Sequence, residues 1–225
     1  MAAARKSLVP LAFALFVAAS AAGTAHAGAQ KYQHPQFAEL TKDHKTLAVL
    51  PFKVAIDKTK LPKNMTLDMI AAAEKEEATE FQTQLYARFL QRAQQGEYTV
   101  GFQDVDQTNA LLARAGISRD SLYMHTKDEL AKVLGVDGLV SGSVHQTQPT
   151  SAGMAMAQTF LLGFSGHTQR VDITVTVHNG TDGALLWSYD HTDKGGLMNS
   201  VEAMVKSLLK KVGGNFPYRK EKEQG

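Results

Sequence analysis

The sequence predicts a single α/β domain with a mixed β-sheet of about five strands and helices packed on it. Three observations lead to this prediction. Short apolar runs that suit buried strands alternate with stretches of helical period. The run VDITVTVHNGTDGALLWSYDH, residues 171–191, has the alternation and the turn residues of a β-hairpin. The expected element order, β-α-β-α-α-β-β-β-α, shows no internal repeat and ends with that hairpin followed by a helix.

The first 27 residues have the composition of a secretory signal peptide. Arg5 and Lys6 form a basic start, residues 8–22 are apolar, and residues 25–27, Ala-His-Ala, form a cleavage signal. An uncleaved membrane anchor is the alternative, although the apolar stretch is short for a span. We therefore expect residues 1–27 to be removed and the protein to be periplasmic or secreted.

Composition excludes several classes of protein. The chain has 24 Lys and Arg against 22 Asp and Glu, and two of the basic residues fall in the predicted signal peptide, which leaves 22 against 22. This balance gives no indication of nucleic-acid binding. The absence of Cys rules out disulfides, a thiol nucleophile and a lipidated cysteine. A hydrophobic core must then stabilise the domain.

The N-terminal part of the processed chain predicts a strand and a long helix. Residues 28–44 are polar and lack periodicity, which predicts a flexible arm before a domain over residues 45–214. TLAVLPF, residues 46–52, is apolar on successive positions, as in a strand buried on both faces. A helix with an apolar stripe is expected over residues 67–94. The run EKEE, residues 74–77, interrupts the stripe and indicates a solvated face.

The middle of the chain contains helix start signals. An aspartate of DVD, residues 104–106, is expected to cap a helix that follows a short strand over residues 98–102. Thr126 and Glu129 have the spacing of a capping box, which opens a further helix. Residues 137–148 are then expected to form the third strand.

The hairpin supplies the fourth and fifth strands and fixes which face is buried. We expect Val177 opposite Leu185 and Val175 opposite Trp187, with Ile173 and Tyr189 continuing the same apolar face. The other face is polar and is expected to be wet: Asp172, Thr174, Thr176, Ser188 and Asp190. A last helix is expected over residues 200–212, before a charged tail over residues 215–225.

Three landmarks together resemble a known bacterial envelope superfamily. They are LAVLPF, the helix-then-strand run LAKVLGVDGLVSGSV over residues 130–144, and DGALLWS, residues 182–188 of the hairpin. The resemblance is to the group containing the curli-secretion lipoprotein CsgG, the penicillin-binding-protein activator LpoB and the N-terminal domain of TolB. It implies an accessory or assembly protein that binds other proteins, and it carries no catalytic residues. Lacking Cys, the chain would be a non-lipidated member.

No catalytic constellation is apparent. GFSGH and LVSGSV both miss the spacing of a nucleophile elbow, and no phosphate-binding glycine motif is present. Four histidines on or beside neighbouring strands raise the alternative of a weak metal site, against the more ordinary interpretation of exposed polar residues: His145, His167, His178 and His191. We therefore expect no enzyme activity, no cofactor and no metal.

The segment between the third and fourth strands is unusual. Residues 138–169 contain no Asp, Glu, Lys or Arg, and residues 153–166 within them are apolar. Either this segment is a connection buried against the sheet, or it is an adaptable surface for a protein partner or a membrane edge. The predicted partner-binding side chains are Met154, Met156, Phe160, Leu161 and Phe164.

The sequence therefore predicts an exported, non-enzymatic accessory protein that binds an envelope protein or associates with itself. The alternative is a subunit of an outer-membrane secretion or transport assembly, in which residues 138–169 enter the lipid. A hydrolase that uses the wet face of the hairpin is the third possibility, although no nucleophile–base pair supports it. The sequence identifies neither the partner and its pathway nor the oligomeric state.

Overall fold

The computed structural model describes residues 29–57, 66–147, 170–194 and 201–220. The predicted signal peptide and the segment 153–166 lie outside these ranges. The described chain forms one mixed β-sheet with helices packed on it, and the predicted fold class is confirmed.

Seven strands form the sheet: β1 (Gln30–Gln33), β2 (Thr46–Val49), β3 (Lys53–Ile56), β4 (Gly101–Phe102), β5 (Gly138–Thr147), β6 (Arg170–Asn179) and β7 (Leu185–Lys194). Their order is β1-β7-β6-β5-β2-β4, and β3 lies beside the second half of β5. Strands β5, β6, β7 and β1 are antiparallel neighbours, whereas β2, β3 and β4 run parallel to their partners. The long β5–β6–β7 ladder is thus the centre of the sheet.

The helices are α1 (Phe37–Leu40), α2 (Leu67–Gln94), α3 (Val105–Arg114), α4 (Lys127–Leu134) and α5 (Val201–Asn215), with a 3₁₀-helix over Leu122–Met124. The predicted bounds of α2 are confirmed. Asp104 caps α3, and Thr126 and Glu129 form the predicted capping box of α4. Gly135 ends α4 in the left-handed region, at φ 66°.

Helices α2 and α5 cover one face of the sheet. Their apolar side chains pack on alternate residues of β5, β6 and β7, including Val144, Val175 and Trp187. Gly142 interrupts this row because the Phe52 ring occupies its space, and a β-carbon at Gly142 would come within 2.3 Å of that ring. This contact fixes the turn between β2 and β3 against the centre of the sheet.

The second face is covered in part. Helices α3 and α4 and the 3₁₀-helix pack on Ala48, Leu50 and Leu139, where β2 and the first residues of β5 lie. Further along β5, β6 and β7, the same face carries half-buried polar side chains that hydrogen-bond across the strands. The wet face predicted for the hairpin is therefore polar, but its side chains are engaged with one another.

The predicted flexible arm and charged tail need correction. Residues 30–33 pair with β7 as the edge strand β1, and Phe37 in α1 is buried. At the other terminus, Phe216 and Tyr218 are also buried, among the aromatic rings of the core. Residues 30–37 and 216–218 therefore belong to the folded domain, because strand pairing and Phe37 hold the first stretch and two aromatic side chains anchor the second.

The predicted register of the hairpin is wrong by two residues. Val177 lies opposite Trp187 and Val175 opposite Tyr189, and an irregularity between Val177 and His178 brings Leu185 opposite His178. A shift of two residues keeps Val175, Val177, Trp187 and Tyr189 on the predicted buried face, because strand side chains alternate with a period of two. Leu185 is the exception: beyond the irregularity it lies opposite His178 and is 38% exposed, while its neighbour Leu186 is buried.

Candidate partner-binding site

At one end of the sheet, β5 ends and β6 begins, so the chain leaves and rejoins the β5–β6–β7 ladder there. Residues Thr147 and Arg170, the last of β5 and the first of β6, lie directly opposite each other. Strands β3 and β7 end at the same end of the sheet, since β3 is parallel to β5 and Lys194 of β7 pairs with Arg170. We call this the open end of the domain: the ends of β3, β5 and β7, the start of β6 and the first three turns of α2.

Side chains of α2 hold the open end to the sheet. The backbone N–H of Ile56 in β3 donates to Glu74 Oε1 at 3.0 Å, and Gln146 Nε2 in β5 donates to Glu77 Oε2 at 2.7 Å. The N–H of Asp57 donates to the carbonyl of Gln146 at 3.0 Å. Helix α2 thus contacts two neighbouring strands close to where each leaves the sheet.

Glu77 corrects the prediction that EKEE forms a solvated face. Its Oε1 is buried and has no hydrogen-bond partner among the described residues. Burial raises the pKa of the Glu77 carboxyl to about 8, against the opposing effect of its hydrogen bond from Gln146. The neighbouring carboxylates Glu74 and Glu76 raise this pKa further. At neutral pH the carboxyl of Glu77 is therefore mostly protonated.

Apolar side chains are exposed at the start of α2. Thr66 caps the helix by accepting a hydrogen bond from the N–H of Met69. Leu67 is 61% exposed and Met69 is 42% exposed, while Ile70 is buried. The first turn of α2, about two turns before the residue that contacts β3, therefore presents two large apolar side chains to solvent.

The opposite end of the sheet is closed by hydrogen bonds, and we call it the closed end. Asp137, just before β5, accepts hydrogen bonds through Oδ2 from the backbone N–H groups of Lys45 and Thr46, each at 2.8 Å. Its own carbonyl accepts from the N–H of Gly180 in the hairpin turn at 2.8 Å. One residue thus joins the start of β2, the start of β5 and the turn after β6.

His44 and Tyr218 complete the closed end. His44 Nδ1 and Tyr218 Oη are joined by a hydrogen bond of 2.7 Å. Burial lowers the pKa of the His44 imidazole and raises the pKa of the Tyr218 hydroxyl. Both side chains are therefore neutral at pH 7, and the bond fixes the C-terminal segment to the residue that precedes β2.

The histidines considered for a metal site do not converge. His178 lies on the polar face, where its ring nitrogens contact Gly183 O at 3.2 Å and Thr176 Oγ1 at 3.1 Å. His191 lies opposite Ile173 and so belongs to the other face. No group of three or more potential metal ligands occurs in the ranges that the structure describes. His167 lies outside them.

The side chains predicted to bind a partner lie outside the described residues, so their contacts stay a prediction: Met154, Met156, Phe160, Leu161 and Phe164. The structure adds the described residues Leu67 and Met69, exposed in the first turn of α2, and Glu77, two to three turns later. Exposure of Leu67 was not expected, because the predicted apolar stripe of α2 begins with it. No sequence signal marks Glu77, which stands among charged neighbours.

Comparison with known proteins extends the description of the fold. No family model matches the chain, and no curated protein matches it in sequence. Among solved structures it is similar to lipoprotein GNA1162 from Neisseria meningitidis, with 11% identity, a TM-score of 0.45 and coverage of 76% of this chain and 96% of that one. No helix in the described ranges is long and apolar enough to cross a membrane.

Two further solved structures resemble the chain. One is the PelC dodecamer from Paraburkholderia phytofirmans, with 16% identity, a TM-score of 0.40 and coverage of 82% and 93%. The other is the LpoB C-terminal domain from Escherichia coli, with 15% identity, a TM-score of 0.35 and coverage of 72% and 94%. With TM-scores below 0.5, these likenesses carry no argument about function. The resemblance to CsgG and to TolB stays a prediction.

Proposed function

We propose that this chain is an exported, non-enzymatic accessory protein that binds an envelope protein through the open end of its domain. The observation that carries the proposal is the pairing of Gln146 with Val171 and of Thr147 with Arg170. The segment that follows Thr147 and precedes Arg170 therefore leaves and rejoins the sheet at adjacent points of a rigid ladder. Binding residues are commonly presented in this way, on a connection held by a scaffold.

The chemistry of that connection suits a protein partner. Residues 153–166 are uncharged and contain Met and Phe, which adapt to and fill apolar pockets on another protein. The exposed side chains of Leu67 and Met69 lie at the same end of the domain. A contact that includes residues 153–166 together with Leu67 and Met69 would have an apolar centre with the carboxylates of α2 around it, like the apolar centre and polar rim of many protein interfaces.

The polar half of the sheet supports a structural rather than a catalytic role for the wet face. Ser141 Oγ and Thr176 Oγ1 lie 2.9 Å apart, and Thr174 Oγ1 donates to Asp190 Oδ1 at 2.6 Å. Thr192 Oγ1 in turn donates to Asp172 Oδ1 at 2.6 Å. These hydroxyl and carboxylate groups bridge neighbouring strands, which stabilises the sheet.

The test is a triple substitution at the predicted contact, Phe160→Ser, Leu161→Ser and Phe164→Ser, in the exported protein. Its matched control removes three apolar side chains that are exposed elsewhere, Met124→Ser, Val133→Ser and Leu185→Ser. Envelope extracts are co-purified with each tagged variant, and circular dichroism checks that both variants fold. We expect the first variant to lose the envelope protein that the unsubstituted protein retains, and the control to keep it.

Two outcomes would contradict the proposal. If the folded triple variant retains every envelope association, the assignment of residues 153–166 is wrong. If the same variant loses only association between copies of this chain, and ring-like oligomers that partition into membranes are lost with it, the protein is a secretion-assembly subunit instead. Size-exclusion chromatography with light scattering separates this second outcome from loss of a different partner.

A further inference from the structure

Charge is segregated along α2 although the processed chain is balanced. The first half of the helix, residues 67–80, contains five Asp and Glu and one Lys. The second half, residues 81–94, contains Arg88 and Arg92 and no acidic residue. A helix of 28 residues spans about 42 Å, so the two halves present charges of opposite sign at well-separated places.

Helix α5 extends the positive region at the second half of α2. Arg88 and Arg92 lie against its backbone at Gly213, where a β-carbon would come within 3.0 Å of Arg92 Nε. Arg219 Nη1 donates to the carbonyl of Gly214 at 2.9 Å. We call the resulting surface the basic face: Arg88, Arg92, Lys206, Lys210, Lys211 and Arg219.

Among the described residues, ion pairs neutralise the basic face only in part. In the described part of the chain, Glu97 is the carboxylate that pairs with it, through Arg92 and, at 3.5 Å, through Arg219. The Nε atoms of Arg88 and Arg92 are buried and make no hydrogen bond to described residues. Arg219 lies at the carbonyl end of α5, where the helix dipole favours a positive charge. This effect does not explain the charge of Lys206, which is exposed two turns before that end.

We propose that the basic face binds the phosphate groups of an anionic phospholipid surface. Its exposed lysines follow α5, with Lys206 and Lys210 one turn apart and Lys211 beside His191, and this spread along a helix suits several separate phosphates. Exposed lysines attract phosphate without fixed geometry, whereas Arg92, whose side chain is 14% exposed, is held by Glu97. Clusters of several Lys and Arg are attracted to anionic bilayers in this way.

The position of the basic face leaves the proposed partner site accessible. The basic face surrounds the second half of α2, whereas Leu67 and Met69 lie at its first turn. The two surfaces therefore use different parts of α2, and binding at one does not occupy the residues of the other. The inference goes beyond the proposed function, because lipid binding is measured with the purified protein alone and no envelope partner is needed.

The test measures binding of the purified, processed protein to sedimented vesicles. Vesicles of phosphatidylglycerol mixed with phosphatidylcholine are compared with phosphatidylcholine alone, at about 0.05 M and about 0.5 M sodium chloride. Lys206→Gln with Lys210→Gln removes two exposed charges of the basic face. The matched control, Lys75→Gln with Lys132→Gln, removes two exposed charges elsewhere. Thermal unfolding monitors the fold of both.

We expect binding to the anionic vesicles only, with loss at the higher salt concentration. The Lys206 and Lys210 variant should bind at least about tenfold more weakly, and the control within about twofold of the unsubstituted protein. The proposal is overturned if anionic vesicles do not bind, or if both variants weaken equally. It is also overturned if inorganic phosphate displaces the vesicles better than chloride at the same ionic strength, because that result indicates a single-phosphate site.

Discussion

The closed and open ends of the sheet hold their strands in different ways. At the closed end, Asp137, whose Oδ2 and carbonyl oxygen accept three backbone hydrogen bonds, and the bond between His44 and Tyr218 join four segments of the chain. At the open end, a protonated, partly unsatisfied Glu77 contacts Gln146, and the apolar side chains of Leu67 and Met69 are exposed two to three helix turns before it. Satisfied polar networks stabilise a fold, whereas unsatisfied and apolar exposed groups are typical of surfaces used for binding.

If the open end binds a partner as proposed, stability and binding depend on different ends of the sheet. Substitutions at the closed end should therefore lower the free energy of unfolding, and substitutions at the open end should alter binding or pH dependence instead. Each of the following experiments compares the two ends on this basis, from the largest expected change in stability to the smallest.

Replacement of Asp137 by Ala should destabilise the domain most. It removes the charged acceptor of the exposed N–H of Lys45 and the half-buried N–H of Thr46, and we expect the loss of these two hydrogen bonds to cost about 3 kcal/mol of unfolding free energy. Urea denaturation followed by circular dichroism measures this value. The control is Asp43→Ala, an exposed carboxylate nearby, which should change stability by less than about 0.5 kcal/mol. Equal effects of the two substitutions would show that the closed end is not held as described.

Replacement of Glu77 by Gln should stabilise the domain at high pH. Because burial raises the pKa of Glu77 to about 8 from 4.5, the folded state holds a proton that the unfolded chain releases. Its contribution is complete below pH 4.5 and is lost as the pH rises through 8. The Gln variant removes this dependence and should be about 2 kcal/mol more stable above that pH.

Unfolding free energies of the Glu77 variant and the unsubstituted protein are compared at intervals of pH. The two curves should lie close together at acid pH and separate progressively toward alkaline pH. Glu80→Gln, which alters an exposed carboxylate on the same helix, is the matched control and should leave the curve unchanged. Parallel curves for Glu77→Gln and the unsubstituted protein would mean that Glu77 ionises normally in the folded state.

Replacement of Tyr218 by Phe tests the attachment of the C-terminal segment alone. It keeps the buried ring and removes the hydrogen bond to His44, so we expect a loss of about 1 kcal/mol. Amide hydrogen exchange should show faster exchange at Thr99, whose N–H donates to the carbonyl of Tyr218. If exchange accelerates at Ile56 to the same extent, the two ends do not unfold independently.

The combined substitution Leu67→Ser and Met69→Ser should leave stability within about 0.5 kcal/mol, since both side chains are exposed. If these residues contribute to the partner contact, co-purification of the envelope protein should fall by about tenfold, as expected for loss of two apolar contacts. A large loss of stability with unchanged binding would reverse the roles assigned to the two ends.

The sequence predicted helix bounds and helix caps wherever a local pattern marks them. The bounds of α2 follow from its apolar stripe, and the caps at Asp104 and Thr126 follow from their spacing. Strands β1 and β3 were not predicted, because QKYQ and KVAI are short and gain their order from pairing with distant strands. The hairpin register differed by two residues because an irregularity near His178 has no local signal.

Less of the candidate site than of the fold could be predicted from the sequence. The absence of charge over residues 138–169 is visible in the sequence, but the adjacency of Thr147 and Arg170 depends on strand pairing. Burial of Glu77 depends on Gln146, 69 residues away in the chain. The balanced net charge likewise conceals a basic face and an acidic half-helix, because composition does not record where charges lie.

The central claim, that the open end binds an envelope protein, is tested most directly by site-specific photo-crosslinking in the bacterial envelope. A photoreactive residue is placed at Met69 in the open end or at Phe160 in the chain between β5 and β6, and at Asp43 in the closed end as the control. The account predicts that Met69 and Phe160 crosslink to the same envelope protein, identified by mass spectrometry, and that Asp43 does not. Equal crosslinking from Asp43, or no crosslinked protein from either Met69 or Phe160, would contradict it.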